Sequence, residues 1–558
     1  MLMKLQEQIA KLVRNALEEA QGQDLLPPPT VGEISIERPQ NPDHGDYSCS
    51  IPLKLARPMR ANPMVIAERL VSLVRTEEPL DKVWAAPPGF INFSLKPSWI
   101  AERVDEIREA RDAYGNVKVG AGARVQVEFV SINPTGPLHV GHGRGAVFGS
   151  ALANILEAAG YEVVREYYFN DAGSQMDRFN QSLYARYRQH FGRDAEMPSD
   201  GYQGRYLIDL AAALGSEQGD RFLSVPEEEA VRGLGELGLG KILESIRKDV
   251  AELGVSYDVW FSERSLYSDG QFETAMSLLR DSGYLIERDD ATWFASTALG
   301  DDKDKVVVRS TGEPTYFATD VAYHYNKFFE RDFERVIDVL GADHQGHVPF
   351  MKAVATALAV SPDRLDLVIH QLVTLKRGDE TVRVSKRTGD LITLRELVEE
   401  VGVDACRYFF LYRSPESQME FDLELAKKES SDNPVYYIQY AHARISSILR
   451  LAEERGIDYE DGDLSLLSHE GELALIRKMM ALPELIEMMA HSLEPHHLPH
   501  YAVDLAAAFH WFYERCRVVS SDPEDLGITK ARLKLVEAAR IVLARSLTLM
   551  IMQAPDRM

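Results

Sequence analysis

The sequence predicts a multidomain fold: a central α/β domain, an N-terminal α+β domain before it and a C-terminal all-α helical bundle after it. Three observations predict this. The chain has 558 residues, enough for three or more domains of roughly 100 to 200 residues each. From residue 124 the pattern runs strand, loop, helix, strand, which is the signature of a βαβ unit. After about residue 405 alternating patterns stop and only helical periods follow. Hydrophobic content of 45% and charged content of 27% are ordinary for globular protein, so sizeable cores can form.

The opening MLMKLQEQIAKLVRNALEEAQ reads as an amphipathic helix with charges throughout, and it lacks the apolar core of a signal peptide. Two strand-like pieces follow, GEISIERP and VWAAPPGFINFSL, separated by the turn-rich RPQNPDHGDYS and by the proline pair at 87–88. An α+β domain is therefore predicted over 1–115. Loop glycines in DAYGNVKVGAGARVQVEFVS mark the boundary to the next domain, predicted over 116–404. There RVQVEFVS is a strand, and AVFGSALANILEAAG places Phe148, Leu152, Ile155, Leu156 and Ala159 on one helical face. Gly160 takes the stop position and YEVVREYYFN returns as a strand. A polar helical stretch, about 174–260, is predicted as an insert. The sheet is expected to resume with TWFAS, KVVVRS, TYFATD, RVIDVLG and LDLVIHQLVTL. The bundle, 405–558, is predicted from helical periods over 434–455, 471–492, 498–518 and 528–552.

Lys+Arg number 62 against 87 Asp+Glu, a net charge of −25. That sign opposes indiscriminate nucleic-acid binding but permits a local basic surface. Ile528 to Met558 carries six Lys/Arg against two Asp/Glu, a local reversal expected to face a polyanion. Cys49, Cys406 and Cys516 are too few for a disulfide framework and too scattered for a zinc ribbon, which predicts a reducing, cytoplasmic location and no structural zinc. No run approaches the ~18 apolar residues of a membrane span.

One loop carries unusual chemistry. PTGPLHVGHGRGAV, residues 134–147, sets His139 and His142 three apart among prolines and glycines. A zinc helix would need two histidines four apart with a Glu between, and here Val140 and Gly141 intervene. Gly141, Gly143 and Ala146 fit a dinucleotide fingerprint, with Glu162 as its ribose contact, but INPTGPLHV separates that fingerprint from its strand. The histidines could also simply fill polar loop positions. The reading that uses both is a phosphate site: small residues admit a ligand, the helix N-terminus favours negative charge, and imidazoles donate hydrogen bonds to a phosphate whose charge builds up in the transition state. Nucleotidyl transfer, in which a carboxylate attacks the α-phosphate of ATP and pyrophosphate leaves, has that chemistry. RVSKRTGD, residues 383–390, supplies a cationic loop that could close on pyrophosphate.

With these two motifs the sequence resembles the class I aminoacyl-tRNA synthetases: HVGH stands where the class has His-Ile-Gly-His, and RVSKR where it has Lys-Met-Ser-Lys-Ser. VEFVSINPTGPLHVGHGRGAV, EYYFNDAGSQ, YQGRY, TYFATDVAYHYNKF, GADHQGHVP, DNPVYYIQYAHARI, HGDYS and the ending QAPDRM resemble the bacterial arginyl-tRNA synthetases over nearly the whole chain. Arg383 and Arg387 depart from the class pattern and Lys386 keeps it.

The resemblance implies a Rossmann-like catalytic domain that attaches L-arginine to tRNA(Arg) through an arginyl-adenylate, using ATP with Mg²⁺ and releasing AMP and pyrophosphate. It also implies that activation needs bound tRNA, and a monomer is expected. His139, His142 and Lys386 become the catalytic candidates. Pro137, Gly141, His142, Gly341, Asp343, Val384, Ser385 and Lys386 become those for ATP. Glu128, Ser131, Asn133, His139, Tyr316, Asp320 and His344 become those for arginine. Glu128 and Asn133 are expected at the mouth near the α-amino end, with Tyr316 and Asp320 on the guanidinium; Asp320 also reads as a helix N-cap before VAYHYNKF. Phe90 and Asn92 in the N-terminal domain are implied for the tRNA D-loop. Tyr436, Tyr440 and Arg444 are offered for the anticodon, with Tyr437 and His442 nearby and at least one of the three tyrosines expected to be buried. The alternatives are a tRNA-binding relative that has lost aminoacylation and a class I synthetase for another amino acid. HVGH and Lys386 together oppose the first, and the acidic pocket opposes the second.

Overall fold

A computed structural model of the chain describes residues 2–23, 25–26, 34–39, 41–383 and 391–558. At its centre five strands, all parallel, lie in the order Leu365–His370, Arg335–Gly341, Arg124–Phe129, Glu162–Phe169, Val259–Ser262. Numbered along the chain this is 5-4-1-2-3, or 3-2-1-4-5 from the other edge, a Rossmann-like sheet. Its order reverses between Arg124–Phe129 and Arg335–Gly341, and in such sheets ligands bind beyond the carboxyl ends of the strands at that reversal.

Arg124–Phe129 is buried along almost its whole length, as a parallel strand covered on both faces must be. The helix Val140–Ala158 that follows is buried nearly all round. Its glycines bring it close to the sheet: a Cβ at Gly149 would stand 2.2 Å from Cγ of Phe129. Gly160 adopts φ +90° directly after the C-cap Ala159, the left-handed position that stops the helix. The insert forms the helices Ser174–His190, Arg205–Gln218 and Glu227–Glu252.

Several expected strands differ. TYFATD is the start of a helix, Tyr316–Tyr325, with Thr315 at its N-cap and Ala318, Val321 and Ala322 buried. Its aromatic and β-branched residues mimic alternation over six positions, whereas burial follows the helical period. Asp320 therefore lies inside this helix and does not cap one. TWFAS and KVVVRS do not rejoin the central sheet; Ala291–Phe294 pairs antiparallel with Lys305–Val308 on one side and Leu285–Arg288 on the other, in a small sheet of their own. LDLVIHQLVTL breaks after His370, and Val373–Arg377 joins a third sheet with Glu380–Val382 and Met419–Asp422. A strand thus exists beyond residue 405, too short at four residues to show a period.

In the N-terminal part four strands pair in one sheet against the helix Leu2–Gly22 and its neighbours. VWAAPPGFINFSL forms two of them, Leu80–Ala86 and Phe90–Leu95. Beyond the third sheet run the helices Pro434–Glu454, Glu470–Met480, Leu482–Ser492, His497–Arg515 and Leu526–Leu549. The expected 471–492 helix divides at Ala481, where Pro483 opens the second piece.

Two cations tie the regions together. Arg407, fully buried, donates to the carbonyls of Leu253 at 3.0 Å and of Met550, and to Ser150 Oγ at 2.9 Å. It thereby joins the ends of the insert and of the last helix to Val140–Ala158. Arg38 meets Glu484 at 2.6 Å, linking the N-terminal sheet to the bundle. The basic run after Ile528 is used in the same way: Lys530 pairs with Asp461 at 2.7 Å, Arg532 with Glu472 at 2.7 Å and Lys534 with Asp105 at 3.1 Å. Three of the six cations in this stretch are thus paired with carboxylates from elsewhere in the fold. Among the described residues no helix is long and apolar enough to cross a membrane.

Candidate active site

After Phe129 the backbone bends sharply, with Val130 at φ 73° and Ser131 at φ 39°. These are left-handed conformations that non-glycine residues adopt at a cost of about 1–3 kcal/mol each. Ser131 Oγ accepts from the Tyr168 amide at 3.1 Å and holds the bend. The loop then reaches His139, the extended N-cap of Val140–Ala158.

The two histidines cap this helix reciprocally. His139 Nδ1 accepts the Gly141 amide, and His142 Nδ1 accepts the His139 amide, each at 3.1 Å. Their rings stack with centroids 3.5 Å apart. Because both Nδ1 atoms accept, each neutral ring carries its proton on Nε2, where it can be donated to a ligand. Burial, with the His139 and His370 rings beside it, lowers His142 to about 3; burial also lowers His139. Both are neutral donors at pH 7, seated where helix amides already favour an anion.

These rings border a cleft of about 620 Å³ lined also by Asn133, Pro137, Tyr202 and Tyr206. Tyr206 of the insert donates to the Thr135 carbonyl at 2.6 Å. On the opposite wall Leu394 N donates to Leu138 O at 2.8 Å and Val140 N to Ile392 O at 3.2 Å. The chain that follows RVSKRTGD is therefore stitched to the histidine loop. Arg383 is exposed; Val384, Ser385, Lys386 and Arg387 lie outside the described residues.

Across the sheet reversal, Gly341 ends its strand and Asp343 and His344 stand exposed, 3.5 Å apart. His370 ends the outer strand against the helix: a Cβ at Gly145 would lie 2.9 Å from its Nε2. Burial, then Arg144, lowers His370 to about 4. Arg144, 1% exposed, pins the following loop by donating to the carbonyls of Gln371, Ser414 and Ser417 at 2.8–2.9 Å.

A second group, acidic, lies at the same strand ends. Glu128 is not at the mouth as expected. It is 7% exposed and its Oε2 accepts from Lys327 Nζ at 2.5 Å, because a carboxylate on a covered parallel strand needs a counter-charge. Asp320 lies one helical turn from the exposed Tyr316, whose phenol its charge helps to raise after burial. Asp320 itself forms no salt bridge among the described residues. Its carboxyl is pushed well above the ordinary range by burial and then by Glu263 and Glu128. Glu263 accepts from Tyr168 Oη at 2.5 Å and is pushed up to about 7, chiefly by burial. Carboxylates held together this way call for a cation.

The structure thus gathers Asn133, Pro137, His139 and His142 at one cleft and sets Gly141, Glu128, Tyr316, Asp320 and His344 outside its lining. Sequence reasoning missed Glu263, Lys327 and His370. Only His370 had an available signal, its place at the carboxyl end of a strand beside the reversal.

In the tRNA candidates, Asn92 is 1% exposed, with Trp84 and Ser48 opposite it on the neighbouring strands and its Oδ1 buried without a partner; Phe90 is half-buried. On Pro434–Glu454 the rings of Tyr436 and Tyr440 stack at 6.0 Å, and Arg444 lies over Tyr440 and Tyr513 at 5.0 and 5.1 Å. Tyr436, Tyr437 and Tyr440 are all partly exposed; Tyr437 is the one of the three that packs against the core, though it is not fully buried. His442 is instead the buried one, 4% exposed and bonded to the Pro555 carbonyl at 2.9 Å, away from that face.

Comparison with known proteins agrees with this geometry. Three family models match: "Arginyl tRNA synthetase N terminal domain" over residues 7–95, "tRNA synthetases class I (R), catalytic domain" over 104–199 and 236–411, and "DALR anticodon binding domain" over 438–558. The chain is 56% identical over 550 residues to an arginine–tRNA ligase of Dehalococcoides mccartyi, covering 99% of this chain and 98% of that protein. It is 49% identical to the arginine–tRNA ligase of Carboxydothermus hydrogenoformans, covering 94% of each. The solved arginyl-tRNA synthetase of Thermus thermophilus has the same fold, with a TM-score of 0.79 at 22% identity over 99% of this chain and 100% of that one. The chain belongs to the arginyl-tRNA synthetases, a family of the class I aminoacyl-tRNA synthetases.

Proposed function

We propose the following roles for this chain in the ATP-dependent charging of tRNA(Arg) with arginine, the reaction its family membership gives it. The arginine carboxylate, ionised at neutral pH, attacks the α-phosphorus of ATP; the bond to the bridging oxygen breaks, pyrophosphate leaves and arginyl-adenylate forms. His139 and His142 donate from Nε2 to the phosphate oxygens as charge accumulates on them, a contribution of the kind worth about 10²–10³ in rate per donor. A terminal adenosine hydroxyl of tRNA then attacks the arginyl carbonyl and AMP departs. The single observation that carries this reading is the pair of neutral rings, both with Nδ1 occupied, at the helix N-terminus beside the cleft.

Pro137, Gly141, Gly341 and Asp343 border the nucleotide, and Val384, Ser385 and Lys386 serve the phosphates, Lys386 on pyrophosphate. Asp209 is the one acidic group in the described cleft lining. Mg²⁺, which keeps much of its water shell, would accordingly be held mainly by the ATP phosphates, neutralising charge on the departing pyrophosphate. Asn133, Ser131, His139 and His344 border the amino acid. Glu128, Tyr316 and Asp320, with Glu263 added from the geometry, receive its cationic groups. Residues 1–115, through Phe90 and Asn92 with its unpartnered Oδ1, bind the D-loop; 405–558, through Tyr436, Tyr440 and Arg444, bind the anticodon. The protein acts in the cytoplasm as a monomer, and tRNA must be bound for activation.

Asp320→Asn tests the pocket. Removing the unpaired carboxylate opposite a guanidinium costs on the order of 3–5 kcal/mol, so KM for arginine rises about 10²-fold or more while KM for ATP holds. An unchanged KM for arginine would remove Asp320 from the site.

A further inference from the structure

Glu128 and Asp338 face each other directly across the two strands at which the sheet order reverses, and both are buried, 7% and 2% exposed. Two carboxylates side by side in the interior repel and cannot both stay ionised without a cation. Lys327 supplies it. Its Nζ, fully buried, lies 2.5 Å from Glu128 Oε2 and 2.7 Å from Asp338 Oδ1. The turn that presents it is unusual: Asn326–Glu330 is π-helical and continues directly from the helix bearing Tyr316 and Asp320. Single π turns inside helices recur at functional sites, where they re-aim one side chain.

The same junction is tied a second time. His324 bridges the Asp320 carbonyl oxygen at 2.8 Å and Asp338 Oδ2 at 3.1 Å. The helix that carries Asp320 is therefore locked to the strands that carry Glu128 and Asp338 through two side chains, His324 and Lys327. Glu128 uses only Oε2 on Lys327. Among the described residues Oε1 has no hydrogen-bond partner, and 9% of the side chain remains exposed, an acceptor left for something that binds from outside. Burial pushes the Glu128 carboxyl upward and Lys327 is the largest influence opposing it.

We propose that Lys327 is a positioning residue for amino-acid recognition: its ammonium fixes Glu128 and Asp338 together and so sets the orientation in which Glu128 Oε1 meets the cationic end of the substrate. This rests on the reading that Glu128 contacts arginine. Lys327 touches neither substrate nor reacting atoms. Its effect falls on arginine binding and leaves the nucleotide side, formed by the histidine loop, unaltered.

The experiment compares Lys327→Met, Lys327→Arg, Glu128→Gln and the Lys327→Met/Glu128→Gln double variant of the full chain. KM for arginine, KM for ATP and kcat are measured in tRNA charging, with thermal melting and tRNA binding as folding controls. Lys327→Met is expected to raise KM for arginine at least tenfold with KM for ATP within twofold, and Lys327→Arg to recover part of the loss. In the double variant, loss of a cation is matched by loss of an anion, and KM for arginine should lie within threefold of Glu128→Gln alone. If Lys327→Met does not fold, the double variant and Lys327→Arg decide: a further tenfold rise in the double variant over Glu128→Gln overturns the proposal. So does a normal KM for arginine in folded Lys327→Met when Glu128→Gln raises it. If Glu128→Gln itself leaves KM for arginine unchanged, the reading of Glu128 as a substrate contact fails, and the proposal falls with it.

Discussion

Arginine binding should release a proton. Glu263 is held at about 7 in the free site, chiefly by burial and partly by Asp171, and Asp320 is raised further by burial, Glu263 and Glu128. A guanidinium placed among these groups favours their ionised forms, so a proton bound at Glu263 must leave when arginine arrives. The sign follows: arginine binds more weakly as pH falls. With a free-site pKa of about 7, roughly nine-tenths of Glu263 is protonated at pH 6 and one-tenth at pH 8, which makes KM for arginine about tenfold higher at pH 6, or 1.36 kcal/mol. Asp320 can only steepen this. The assay is initial-rate charging from pH 6 to 8 with ATP and tRNA saturating, in wild type and in Glu263→Gln, with KM for ATP as the control. The variant should flatten the profile. A wild-type KM for arginine constant within twofold over this range, or an undiminished slope in Glu263→Gln, would refute the reasoning. The same raised pKa has a stability counterpart: the contribution of Glu263 to the empty fold is present below about 4.5 and lost as pH rises through about 7.

Two further outcomes follow from the site and its support. His142→Ala removes one Nε2 donor and the ring that caps the His139 amide; kcat should fall on the order of 10²–10³ with tRNA affinity unchanged, and a kcat within threefold of wild type would end the role given to it. Gly149→Ala forces a Cβ to within 2.2 Å of Phe129; the overpacking should cost about 1–3 kcal/mol in denaturant unfolding, and an unaltered midpoint would show that helix and strand are less tightly joined than the structure has them.

What could be read from the sequence was local. The histidine loop declared itself because capping, small residues and the two imidazoles all fall within fourteen consecutive positions, and Gly160 marked its helix end for the same reason. The acidic group did not, because its members come from four separate elements: Glu128 from one strand, Glu263 from the residue after another, Asp320 from within a helix and Lys327 from the π turn beyond it. Only the sheet brings them together, so no spacing in the chain announces the set. TYFATD misled because aromatic and β-branched residues carry a strand preference that the helical burial of Ala318, Val321 and Ala322 overrides. The pairing of Lys530, Arg532 and Lys534 in the basic run after Ile528 was illegible for a related reason. Charge along a chain says nothing about the carboxylates of Asp461, Glu472 and Asp105 that fold onto it.

The central claim is that this site activates arginine on ATP, and only with tRNA in place. ATP–pyrophosphate exchange, run with arginine and with each other amino acid, in the presence and absence of tRNA(Arg), tests it most directly. Exchange should appear with arginine and bound tRNA together and with no other combination. Exchange with a different amino acid, or none under any condition while tRNA still binds, would contradict the account.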